Sequence, residues 1–116
     1  MRNQKVKLKM SSPTLRERDR YVYFKMVSKE KVLYSDLEAA IWNTLIEFYG
    51  EMGVSKMSVW FVKNTWDDAS QSGVIRCNNL SVPHLIAGMG LISRLGESRV
   101  IMKVVKVSGT IKGLEK

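Results

Sequence analysis

At 116 residues with 45% hydrophobic content, the chain has room for one folded domain around one core, not several. Its formal charge of +8 points to a polyanionic partner, nucleic acid first and a membrane surface second. One cysteine and one histidine exclude an internal disulfide and a metal cage built on those residues, and no apolar run is long enough to span a bilayer.

The first eleven residues form a basic arm, with Arg2, Lys5, Lys7 and Lys9 and no acidic residue before Glu17. The arm is either ordered by a partner or a frayed terminus. It lacks the apolar stretch of a signal peptide, so a reducing, cytoplasmic setting is expected. A single domain is expected over residues 12–116. Ser11-Ser-Pro-Thr14 reads as a turn into a short helix with Leu15 to Asp19 as its body. Arg16, Arg18 and Arg20 add positive charge just ahead of the first strand.

Arg20 to Ser28 alternates with the period of a strand. Val22, Phe24 and Met26 make the core row. Tyr21, Tyr23 and Lys25 make the other row, a mixture of aromatic and basic side chains that stacks on bases and holds phosphates. The alternative is that another part of the chain covers the tyrosines.

Ser35-x-x-Glu38 has the spacing of a capping box and predicts a helix start. Leu37, Ile41, Leu45 and Phe48 form its core stripe, and Gly50 and Gly53 end it. Trp42, Ile46 and Tyr49 form a second apolar stripe beside the first. That stripe serves either a protein partner or a larger core.

Lys56 to Trp66 and Gly73 to Asn79 read as a hairpin joined by a polar loop through Asp67, Asp68, Ser70 and Gln71. The two aspartates read as turn formers or solvated charges rather than a catalytic pair. Alternation puts Ile75 and Cys77 in the core and Val74, Arg76 and Asn78 on the opposite face. A thiol nucleophile would need Cys77 activated by a neighbour; on the apolar side of its strand it reads as a small core residue.

Ser81 caps a second helix with Pro83 in its first turn, Leu85, Met89 and Ile92 facing the core, and Gly96 as its stop. Gly88 and Gly90 inside it require a close approach to offset their cost. Arg99 to Lys112 is the last strand, interrupted at Ser108-Gly-Thr110. The resulting order is βαββαβ: an α+β sandwich with a four-stranded antiparallel sheet and two helices on one face, plus the short N-terminal helix. Its usual strand order brings Tyr21, Tyr23, Arg76 and Asn78 onto one open face.

Several stretches together carry a family resemblance: Pro13-Thr-Leu-Arg16, Arg20-Tyr-Val-Tyr-Phe24, Ala39-Ala-Ile-Trp-Asn43, Ser72-Gly-Val-Ile-Arg-Cys77 and Val107-Ser-Gly-Thr-Ile-Lys112. In this order and spacing the chain resembles the archaeal ribonuclease P protein component 2 family over nearly its whole length. It departs from the family at the C-terminus, where members often carry a longer basic tail. The resemblance implies an RNA-recognition-like, or ferredoxin-like, sandwich. It implies a subunit of the ribonucleoprotein that removes the 5′ leader of precursor tRNA, in which the RNA performs the magnesium-dependent cleavage. The chain itself then needs no cofactor or catalytic residue.

The resemblance further implies a barrel-shaped protein partner and a heterotetramer of two such pairs. Arg16, Arg18, Arg20, Tyr21, Tyr23, Arg76, Asn78 and Lys112 are the expected RNA-binding residues, and Trp42, Ile46 and Tyr49 the expected protein contacts. The alternative on the residues alone is a generic single-strand RNA-binding module stacking bases on Tyr21 and Tyr23. A phosphatase-like enzyme on a similar sandwich would need a glycine-rich phosphate cradle, and the glycines lie inside the second helix rather than at its start.

Overall fold

The computed structural model of the protein describes residues 18–115. Along the chain run β1 (Asp19–Ser28), α1 (Tyr34–Met57), β2 (Trp60–Asp67), β3 (Ser72–Asn78), α2 (Val82–Gly90), β4 (Arg94–Leu95) and β5 (Ser98–Ser108). Short 3-10 turns occupy Asn79–Ser81 and Lys112–Glu115. The strands form an antiparallel sheet in the order β2-β3-β1-β5-β4. The expected α+β order is present, with β1 and β3 beside each other inside the sheet.

Two expectations about the elements are corrected. The sheet has five strands rather than four, because the second helix ends at Gly90 and not at Gly96. The amides of Leu91 and Ile92 close back on the carbonyls of Gly88 and Met89, finishing the helix. Gly96, at φ +63°, instead takes the first central position of a two-residue hairpin turn between paired Leu95 and Ser98.

The expected N-terminal helix and the basic arm fall on residues 1–17, which lie outside the described residues, except for the helix's last two positions. At Arg18 and Asp19 the chain is not helical: Asp19 opens β1, and the Arg18 backbone bonds to Asn79 through its amide (3.1 Å) and its carbonyl (2.7 Å).

The start and end of α1 are the second correction. Leu33 is the N-cap and no side chain caps the helix, so Ser35 sits in the first turn and its box with Glu38 does not form. The Leu33 carbonyl takes the amides of Asp36 and Leu37 instead. Gly50 (φ 75°, ψ 166°) is a kink rather than an end, in a left-handed region that only glycine enters cheaply. Helix resumes beyond it to bring Val54 and Met57 into the core, and ends on Ser58 in the αL conformation. The inward row runs Leu37, Ile41, Leu45 and on to Tyr49 in steps of four, which leaves Phe48 outside it and 55% exposed.

The core lies between the sheet and both helices. It joins Val22, Phe24 and Met26 of β1, Ile75 and Cys77 of β3, Leu37, Ile41 and Leu45 of α1, and Leu85 and Met89 of α2. Gly88 is where the helices meet: a Cβ there would come within 2.7 Å of Leu45 Cδ2, so the close approach required of this glycine exists. Gly90 faces nothing within 4 Å and simply ends the helix. Ser81 sits at the N-cap position of α2 without a side-chain cap bond; the Asn78 side chain caps the preceding 3-10 turn, accepting from the Ser81 amide (2.9 Å).

The β2–β3 turn is pinned from below. Gln71 is buried with φ +56°, and its Oε1 accepts the Val32 amide (2.9 Å) while Nε2 donates to the Asp68 carbonyl (3.0 Å). One side chain thus ties the turn to the segment entering α1. Gln71→Ala leaves the Val32 amide buried and unpaired, at a cost of roughly 1–3 kcal/mol. A fall in the urea midpoint with an unchanged slope is the expected measurement.

Two buried protons add a pH dependence. Burial pushes the Cys77 thiol up to about 11, with Asp19 contributing, and burial pushes the Tyr34 hydroxyl up to about 12, with Glu38 contributing. Both groups hold their protons more tightly folded than unfolded. Their contribution is therefore intact below their ordinary values near 9 and 10 and is lost as pH climbs through 11 to 12. Urea midpoints should fall across that alkaline window, and fall less in a Tyr34→Phe, Cys77→Ala double variant compared with itself at neutral pH.

Candidate nucleic-acid interface

β1 lies between β3 and β5, so its outward row has neighbours on both sides. Directly opposed residues of antiparallel strands share a face. The pairing places Trp60, Arg76, Tyr21 and Ser108 in one row across four strands. The next row is Val62, Val74, Tyr23 and Lys106, and further along Lys25 stands opposite Ser72 and Lys103. At the far end Val27 meets Ile101. The helices are on the other side, and this face combines aromatic, apolar and basic side chains: Lys25, Trp60, Ile101 and Lys103 are exposed, Tyr21, Tyr23 and Arg76 half-buried, and Ser72 and Val74 buried.

Arg76 is the centre of the first row. Its guanidinium carbon lies 5.7 Å from the centroid of the Trp60 ring, a cation–π contact. Its Nε is buried with no hydrogen-bond partner. Among the described residues the ion pairs are Lys31–Asp68 (3.8 Å) and Lys63–Glu38 (3.9 Å), so no carboxylate there takes up the Arg76 charge. A guanidinium held by an aromatic ring rather than by an acid keeps its capacity for a phosphate fork.

The other expected RNA-binding residues separate into three groups. Tyr21 and Tyr23 are on the open face beside Arg76, half-buried. Arg18, Arg20 and Lys112 gather at the end of the sheet where β1 begins and β5 finishes. Arg20 belongs to the inward row, yet at that end the core stops, and its Nη1 donates to the Asp19 carbonyl (2.9 Å) close to Gly109. Arg16 lies outside the described residues.

Asn78 is the exception and is corrected. It is 3% exposed, donates to the Lys56 carbonyl (2.6 Å) and accepts from the Ser81 amide. Strand alternation fails there because β3 ends and the chain turns into α2, so the amide faces inward to join two helix ends.

Three residues on the face were not among those expected. Lys103 and Lys106 come from β5, and Trp60, 60% exposed, comes from the edge strand β2. Lys103 could be read from alternation alone. Lys106 could not: β5 carries a bulge, since Tyr23 pairs with Lys106 but Phe24 with Val104, and the extra residue reverses the parity.

The expected protein-contact trio is split. Trp42 is 40% exposed and stands 6.3 Å from Phe61, centroid to centroid, in a groove of about 800 Å³ between α1 and β2. Ile46 packs against the core. Tyr49 donates to the His84 carbonyl (3.0 Å) and lies edge-on to the His84 ring, so it fastens α1 to α2. Phe48 and Met52 are the exposed apolar residues of that region instead.

The family model described as "Rpp14/Pop5 family" matches residues 20–116. The "Ribonuclease P protein component 2" of Pyrococcus furiosus is 38% identical over 104 residues, covering 90% of this chain and 85% of that protein. The protein of the same name from Pyrococcus abyssi is 33% identical over 111 residues, covering 96% and 92%. A chain of the cryo-EM structure of yeast ribonuclease MRP superposes with a TM-score of 0.63 at 16% identity, covering 80% of this chain and 75% of that one, which speaks for a shared fold. With the family model spanning residues 20–116, and relatives above 30% identity along their length, the chain belongs to the Rpp14/Pop5 family.

Proposed function

We propose that this chain is a protein subunit of ribonuclease P, the ribonucleoprotein that removes the 5′ leader of precursor tRNA. The observation that carries this reading is the near-full-length match to proteins named ribonuclease P protein component 2. On this reading the RNA performs the cleavage with magnesium ions that it holds itself, and the chain supplies charge and shape to the catalytic RNA domain.

The side chains fit that division of labour. Cys77 is sealed in the core with its thiol pushed to about 11, far from a thiolate nucleophile. The His84 ring lies against Tyr49, and Asp68 and Glu38 face lysines. The polar and aromatic groups on the open sheet face are instead cations and rings, the groups that position nucleic acid rather than cut it.

The barrel-shaped ribonuclease P protein is the proposed protein partner, in a heterotetramer of two pairs. The groove lined by Trp42 and Phe61 along the β2 edge is the surface of α1 with room for it. No helix of the described residues is long and apolar enough to cross a membrane. A cytoplasmic ribonucleoprotein is the proposed setting.

Reconstitution of leader removal with the cognate RNA and the barrel-shaped protein tests the reading. Omitting this chain should lower the cleavage rate, and digesting the RNA should abolish it. Within that system Arg76→Ala should slow cleavage roughly ten-fold, the worth of one charged hydrogen-bonded contact. Its thermal midpoint should move little, because the arginine has no acid partner to orphan. Unaltered cleavage in that variant would remove Arg76 from the RNA contacts.

A further inference from the structure

We infer that the open sheet face seats an unpaired stretch of RNA, with one base stacked on the exposed Trp60 indole. The inference rests on the proposed ribonuclease P reading and names the kind of RNA element this face takes.

Trp60 is the starting observation. An indole on a strand ordinarily packs into a core or beneath a helix. Here it stands 60% exposed on an edge strand. The Arg76 guanidinium covers one side of the ring at 5.7 Å. It holds that position without an ion pair among the described residues and with a desolvated Nε that bonds to nothing. With 60% of Trp60 exposed beside that contact, indole surface is left for a stacked base at the rim of the groove it lines with Trp42 and Phe61. Tyr21 follows in the same row two strands away, roughly 10 Å at the ordinary strand spacing.

The choice of occupant follows from charge and from access to bases. Lys25, Arg76 and Lys103 lie on the same face as the two aromatics and have no carboxylate partner among the described residues. Lys106 stands beside Tyr23. Aromatic platforms interleaved with cations suit a polyanion whose π faces are exposed. A base-paired helix hides those faces inside its stack and would meet only the lysines, leaving Trp60 in water. A protein with an acidic rim and an apolar anchor is the competing occupant, but it would have little use for a row of cations flanking a single large ring. The expected stacking residues therefore include Trp60 ahead of Tyr21 and Tyr23.

The test uses the full chain, a fluorescently end-labelled heptauridylate, and a blunt RNA duplex of similar total charge. Wild type should bind the single strand in a salt-sensitive manner, with quenching of tryptophan emission, and should bind the duplex more weakly. Trp60→Ala should weaken single-strand binding at least about five-fold, the low end for one stacked base. Trp60→Phe should stay near wild type, since a phenyl ring still offers a stacking face. Circular dichroism and melting of both variants exclude a folding defect, and an exposed edge residue should cause none.

The inference is overturned if wild type ignores the single strand, if Trp60→Ala binds it as wild type does, or if the duplex binds as tightly. It is also overturned if a folded Trp60→Phe is as weak as Trp60→Ala, or if Trp60→Ala spares RNA binding but loses the barrel-shaped protein on size-exclusion chromatography. Leader removal by the reconstituted wild-type complex reports separately on the subunit reading: cleavage supported by this chain, with oligonucleotide binding indifferent to Trp60, leaves the subunit reading standing and removes only the stacking site.

Discussion

The register of β1 is the constraint on which core and interface both depend. β1 is hydrogen-bonded on both edges, to β3 and to β5, and its side chains alternate strictly. Val22, Phe24 and Met26 fill the space under the helices, each at 2% exposure or less. Tyr21, Tyr23 and Lys25 must then stand on the opposite face. A slip by one residue would send the phenyl ring into water and a lysine into the core, so the fold energy fixes the position of the outward row. The interface inherits its precision from the core at no extra cost.

The neighbours of that row are placed by irregularities rather than by regular sheet. In β2 the pairing jumps from Val62↔Val74 to Asp67↔Ser72, so Lys63, Asn64, Thr65 and Trp66 oppose Gly73 alone. Thr65 Oγ1 bridges the gap, accepting the Val74 amide (3.0 Å) and donating to the Val62 carbonyl (2.6 Å). The excess chain turns Trp66 onto Phe24 and Tyr34, at 6.3 and 5.2 Å between centroids. Gly73 makes this possible, since a Cβ would sit 3.0 Å from the Trp66 ring. One strand thus gives one tryptophan to the core side and keeps another, Trp60, on the open face. The bulge in β5 does the complementary thing, returning Lys106 to the face after Val105.

Much of this was legible in the sequence, and the boundary is physical. Period-two alternation in β1 and β3 is a local property, so Val22, Phe24, Met26, Ile75 and Cys77 could be assigned to the core and Arg76 to the open face without coordinates. What alternation cannot register is an inserted residue, and Lys106 was lost for that reason. Cap chemistry misled where tertiary contacts overrode it. The Ser35–Glu38 spacing is right for a capping box, but burying Leu37 and placing Tyr34 against Trp66 starts the helix two residues earlier. Gly50 and Gly96 announce breaks correctly; whether a break is a kink, an end or a hairpin depends on where the next apolar residue must go. Asn78 shows the same limit, because a strand's last residue answers to the helix ends beside it.

The distribution of unpaired charge bears on what the molecule can do. Where a protein performs acid–base chemistry, its titrating groups converge and shift one another toward the working pH. Here the two shifted groups, Tyr34 and Cys77, move away from neutrality through burial, and neither belongs to the cationic face. Lys25, Arg76 and Lys103 of that face do something different: none of the three is in an ion pair among the described residues, and they leave positive charge beside the Trp60 ring. Such a field releases counterions and gains energy only when a polyanion arrives. On the proposed reading the arrangement is incomplete by itself in the way a subunit is incomplete, with a sheet that holds its charges in place for a phosphate backbone supplied by another molecule.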